Sequence, residues 1–277
     1  MMLMALLLAA TPVPLTIPQT PSSSDAAGNS MGGLHRLPQM SDKAEKDTAP
    51  EVLCTFDNQW CESIEHDPAN GVRVLSVYDG TKPQSEQQVQ RYELMAPDDS
   101  ATLSIWPQIV LLAPDETGRR AALVGVETRI STGYSGGGAS ATRLSLIRVD
   151  IMGSPPMGEV LDLPLEGSAM IRACFGEKDM KQRAGACHDE YKFIGKLELA
   201  EPQGRHPAFT FTTRAETYPG KVSRNADSLS APPLTKKDLI WSVDPLCSYR
   251  RTIRFNPATD RYEFDTPAPD CSEFTIP

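Results

Sequence analysis

The chain has 277 residues, 36 Asp and Glu against 27 Lys and Arg, and a formal net charge of −9. An acidic balance of that size disfavours a broad nucleic-acid surface, which needs excess positive charge. Six cysteines, an even number, point to structural bridges formed in an oxidising compartment.

The chain opens on MMLMALLLAA, residues 1–10. Such an apolar run suits a signal-peptide core but is about half the roughly 20 residues that span a bilayer, so export without a transmembrane span is expected. Ala9 and Ala10 offer a cleavage site and Pro12 and Pro14 stop a helix beyond them, which sets a leader over 1–15. The usual basic residue at the front of such a leader is missing. Residues 16–50 carry Pro, Ser, Gly, Asp and Lys with no aromatic residue, a composition that reads as a disordered linker. All three tryptophans and every Tyr and Phe lie within 51–277, which reads as a single β-rich globular domain.

Along that domain short apolar segments recur between Gly, Pro, Asn and Asp, the pattern of strands and turns. Strands are predicted over 72–78, 103–112, 121–130, 142–150, 169–175, 191–199, 208–215, 239–243, 249–255 and 261–265. Alternation is clearest in TRLSLIRVDI, where Leu144, Leu146, Ile147 and Val149 nearly fill alternate places, and NPATD between RTIRF and RYEF reads as a hairpin turn. Only 177–186 has a run of helix formers, and Gly185 suits its end. The expected fold class is all-β, a single disulfide-stapled domain, propeller-like or a β-sandwich, with one short helix.

Six cysteines allow fifteen connectivities. Joining each to its sequence neighbour gives Cys54 with Cys61, Cys174 with Cys187 and Cys247 with Cys271, each worth about 2.5–3.5 kcal/mol in the chain-entropy model. These spacings differ from the short gaps of zinc knuckles, so no metal is expected.

Three constellations carry chemistry-bearing residues. Gly133-Tyr134-Ser135-Gly136-Gly137 matches the G-x-S-x-G elbow of serine hydrolases, with His188 or His206 available as a base. That elbow needs a helix after its serine, whereas a strand follows here, so a glycine-permitted turn is the favoured alternative. Cys187-His188-Asp189-Glu190-Tyr191 sets a polar site beside a bridge; on a strand His188 and Glu190 share one face and Asp189 the other. Two ligands on a face fall short of a metal set, which favours a structural role. In CSYRRTIRF, Arg250, Arg251 and Arg254 beside Tyr249 suit an anionic glycan or phosphate, or else pair with the acids of RYEFD on the next strand.

Pro114-Asp115-Glu116-Thr117-Gly118, the strand AALVGVET after it and YSGGGASATRLSLIRV resemble the repeats of FG-GAP and integrin-like β-propellers. The resemblance implies propeller blades, about four or five in a chain of this length, and an Asp-rich loop that would hold calcium through side-chain oxygens at alternate positions. Here the loop's spacing is incomplete. With no cofactor expected, the function expected is that of an exported, non-catalytic β domain binding a cell-envelope glycan or a protein partner; a serine hydrolase at Ser135 is the alternative.

Overall fold

The computed structural model describes residues 22–37, 50–67, 71–96, 100–150, 158–220 and 222–277. The leader over 1–15 lies outside them. β1 (Ser23–Ser24), β2 (Ser30–Gly33) and β3 (His35–Arg36) come first, followed by β4 (Val52–Cys54), β5 (Cys61–His66), β6 (Arg73–Tyr78) and β7 (Gln90–Leu94). A run of long strands comes next: β8 (Thr102–Leu111), β9 (Ala121–Tyr134), β10 (Gly137–Asp150), β11 (Gly158–Arg172), β12 (His188–Gln203) and β13 (His206–Tyr218). Helix α1 (Glu177–Gln182) interrupts it between β11 and β12, and β14 (Ser242–Val243), β15 (Arg250–Asn256), β16 (Arg261–Phe264) and α2 (Ser272–Thr275) complete the chain.

These strands form two open antiparallel sheets. The larger has eleven strands in the order β1-β2-β8-β9-β10-β11-β12-β13-β15-β16, with β14 paired to β13; the smaller follows the order β3-β4-β5-β6-β7. The all-β class is therefore correct, and its propeller-like or sandwich architecture is not. A propeller divides into separate four-stranded blades, whereas β8 through β13 each pair with the next in one continuous meander. The segment likened to propeller repeats is a turn and a hairpin of that meander. There are two short helices among the described residues, not one.

Residues 22–37 do not behave as linker. β2 extends the large sheet beside β8 and β3 extends the small one beside β4. Their order comes from backbone ladders and from two buried side chains, Met31 and Asn29, which composition does not reveal.

Residues 122–126 of β9 and 144–149 of β10 are buried on both faces, which explains why their alternation is incomplete. Leu123, Leu144 and Leu146 join Trp106, Leu161, Leu163, Phe209, Phe211 and Tyr262 in a core enclosed by the large sheet alone. Ala122, Val124, Val126, Ile147 and Val149 face the other way and meet Trp60, Leu75, Val77 and Leu94 of the small sheet. Pro164 hid the true length of β11, expected only over 169–175. Pro107 lies where β8 slips register against β9, and Pro164 where β11 slips against β10, so each sits at an irregularity that tolerates a missing N–H.

All three disulfides join sequence neighbours, Cys54–Cys61, Cys174–Cys187 and Cys247–Cys271, as expected. The first staples directly opposed residues of β4 and β5. The second closes α1 between β11 and β12. The third fixes α2, whose Phe274 is buried with Tyr191, Phe193 and Ala215. Close approach here requires a glycine: a Cβ on Gly167 would lie 1.9 Å from the Phe274 carbonyl oxygen.

Candidate functional site

In an antiparallel meander every second connection falls at the same end of the sheet. That rule separates the residues that the sequence singles out. Ser135 lies, exposed, at the tip of the β9–β10 hairpin, where Tyr134 pairs with Gly137 and a strand, not a helix, follows. His188 opens β12 opposite Arg172, at the same end as that tip. His206 opens β13 at the opposite end, separated from Ser135 by the length of β10, about 40 Å at strand rise. Neither imidazole hydrogen-bonds Ser135.

Beside the Cys174–Cys187 bridge the three candidate residues diverge. Asp189 turns inward as expected from strand alternation, and its carboxylate accepts hydrogen bonds from the Arg183 guanidinium and the Ser228 hydroxyl. Arg183 also donates from Nε to the Ala186 carbonyl at 2.9 Å and is only 2% exposed. His188 faces solvent and Glu190 is half-buried. Gln182 ties the loop after β13 to α1 by donating to the Leu229 carbonyl at 2.9 Å. This end is built around a buried ion pair.

Asp115 is likewise consumed by local structure. Its Oδ1 accepts from the Thr117 backbone at 2.8 Å, the Thr117 hydroxyl at 2.6 Å and the Arg119 backbone at 3.0 Å, while Oδ2 accepts from Arg119 Nε at 3.0 Å. These bonds hold its carboxyl below the usual carboxylate range, with the Thr117 hydroxyl the largest cause. Among the arginines of CSYRRTIRF, Arg254 stands opposite Glu263, but that carboxylate accepts from Asn256 at 2.9 Å and Thr259 at 2.7 Å instead. Arg251 lies over the Tyr249 ring, 5.9 Å from its centroid.

A recess at the His206 end carries no contiguous sequence motif. Leu112, Ala113 and Asp115 of the β8–β9 turn, Arg119 and Arg120 leading into β9, Arg148 and Asp150 ending β10, and Arg205, His206 and Pro207 of the β12–β13 turn line a cleft of about 300 Å³. Four arginines line it. Arg119 is paired with Asp115, Arg120 donates to the Gln59 side chain at 3.0 Å, and Arg205 donates to the Pro114 carbonyl at 2.7 Å. Arg148 makes no hydrogen bond or ion pair with any described residue. His206 is half-buried and stacked on Phe255, ring centroids 4.0 Å apart. Burial first, then the charges of Arg148 and Arg205, lower its basicity, against a smaller opposing effect of Asp260.

Asn29 locks the two walls of this cleft together. Fully buried, it accepts from the Ala113 backbone N–H at 2.9 Å and donates to the Arg205 carbonyl at 3.1 Å and to Asp25 at 2.8 Å. A segment that reads as linker thus supplies the residue that sets the site's width. The signal available in the sequence was the pair of basic turns, Arg119-Arg120 and Arg205-His206, an even number of connections apart. Compared with known proteins, the chain matches no family model, no curated protein and no solved structure.

Proposed function

We propose that this chain is an exported, non-catalytic binding protein whose ligand carries a compact oxyanion, such as the phosphate, sulfate or carboxylate of a cell-envelope glycan. The observation that carries this reading is that four arginines and a histidine line one recess of a chain with a net charge of −9. Guanidinium forks match oxyanions in charge and in planar hydrogen-bond geometry. Of the two carboxylates in the lining, Asp115 is already satisfied by its turn and by Arg119. A volume of about 300 Å³ suits one sugar-sized group. The cysteine bridges and the apolar leader support an oxidising, extracytoplasmic setting, where such glycans occur.

A glycan array carrying matched neutral and phosphorylated, sulfated or uronic-acid sugars tests this directly. Binding confined to the anionic members is expected, with Arg148→Ala weakening it about 10–100-fold, the worth of one charge-assisted hydrogen bond. Equal capture of neutral sugars, or an unaffected Arg148→Ala variant, would contradict it.

A further inference from the structure

We propose that anion capture in this cleft is linked to uptake of one proton by His206, so that the site fills in mildly acidic medium and releases its ligand as the pH rises. This inference rests on the anion-binding reading above.

Its basis is the position of the ring. His206 lines the cleft, held flat against Phe255 at an interplanar angle of 20°, and its ring nitrogens make no hydrogen bond with any described residue. One is therefore available to a ligand. The charged groups acting on it come from three elements: Arg205 from the β12–β13 turn, Arg148 from β10 and Asp260 from the β15–β16 turn. Arg119, Arg120, Asp115 and Asp150 complete the charged lining from the β8–β9 turn and the end of β10. In the empty cleft two neighbouring cations and partial burial oppose a further positive charge on the imidazole. An oxyanion between the arginines reverses that balance, because it offsets their field and offers an acceptor for a charge-assisted imidazolium bond.

Linkage makes the effect reciprocal: if the bound anion favours the imidazolium, protonation must strengthen anion binding by the same factor. Affinity then rises as the pH falls across the window between the free and the liganded histidine pKa, by at most about tenfold per pH unit. Asp260 acts in the same direction as the anion, and it is present in both states.

The test uses the full chain and sodium sulfate, which keeps its charge across the range, with sodium chloride at matched ionic strength as control. Sulfate affinity is measured by calorimetry at pH 5.5 and pH 8, and the Cε1–H resonance of His206 is followed through a pH titration with and without sulfate. Binding several-fold tighter at the lower pH, an upward displacement of the His206 midpoint by sulfate, and loss of the pH dependence in His206→Asn are expected. Sulfate binding of equal strength at both pH values, with an unmoved His206 midpoint, would overturn the proton linkage and leave the anion site standing. An absence of sulfate binding at both pH values would overturn both.

Discussion

Asp189→Ala is expected to destabilise the protein by about 3–5 kcal/mol, measured from urea midpoints at constant slope. The substitution leaves the Arg183 guanidinium charged at 2% exposure with no counter-ion, since its side chain's other hydrogen bond to a described residue goes to the neutral Ala186 carbonyl. Removing both charges is a different matter. An Arg183→Met, Asp189→Leu double variant is expected to come close to neutral, because a packed apolar pair escapes the desolvation that the ion pair suffers. The loss in Asp189→Ala should be accompanied by faster amide exchange across 222–234, because Ser228 of that loop donates to the Asp189 carboxylate and Gln182 holds the Leu229 and Ala231 carbonyls. A cost below about 1 kcal/mol would place the pair in water and remove it as the anchor of α1 and that loop.

The second large effect concerns Glu62 of β5. It is 1% exposed, and neither carboxylate oxygen has a hydrogen-bond partner among the described residues. Strand alternation puts it on the face of Ile64, opposite Val77, toward the core shared by the two sheets. Burial pushes its pKa well above the ordinary glutamate range. A folded pKa above the unfolded one means that the folded state holds a proton the unfolded chain has already released. Stability is therefore greatest below the unfolded value of about 4.3 and falls as the pH rises toward the folded pKa, at about 1.4 kcal/mol per unit. Glu62→Leu is expected to remove that slope and to stabilise the protein at neutral pH by at least 1–3 kcal/mol, roughly the cost of an unsatisfied buried polar group. Comparing urea unfolding of the two proteins from pH 4.5 to 8 isolates this residue from other titrating groups, His206 included. Parallel pH profiles would show that Glu62 is not buried in the folded state.

Local features of this chain were readable because they depend on neighbours in sequence. The cysteine pairs join residues close along the chain, the hairpin at 256–260 carries its own turn residues, and Gly185 accepts the positive φ of +91° at the helix end. Strands β4 and β5 were missed because CESIEH hides buried Glu62 and Ser63 in what looks like a solvated stretch. The sheet architecture was missed because propeller blades and a meander share the same hairpins; only the pairing of successive hairpins with each other distinguishes them. As for the cleft, its residues are drawn from three connections and depend on Asn29 near the start of the chain, so no contiguous motif marks it. Conversely, Ser135 and His206 look compatible as a list of residue types, and the direction of β10 sets them at opposite ends.

Titration of the isotopically labelled full chain with sulfate, followed through backbone amide resonances at constant ionic strength, tests the location of the anion site most directly. The expected result is saturable shifts concentrated at 112–121, 148–150 and 205–207, with the same amides responding only at about 10–100-fold higher sulfate in Arg148→Ala, and more weakly in Asn29→Ala, which loosens the wall carrying Arg205. Shifts that never saturate, or that centre on the Arg250 and Arg254 strand or on the Cys174–Cys187 end, would contradict the assignment of this cleft as the binding site.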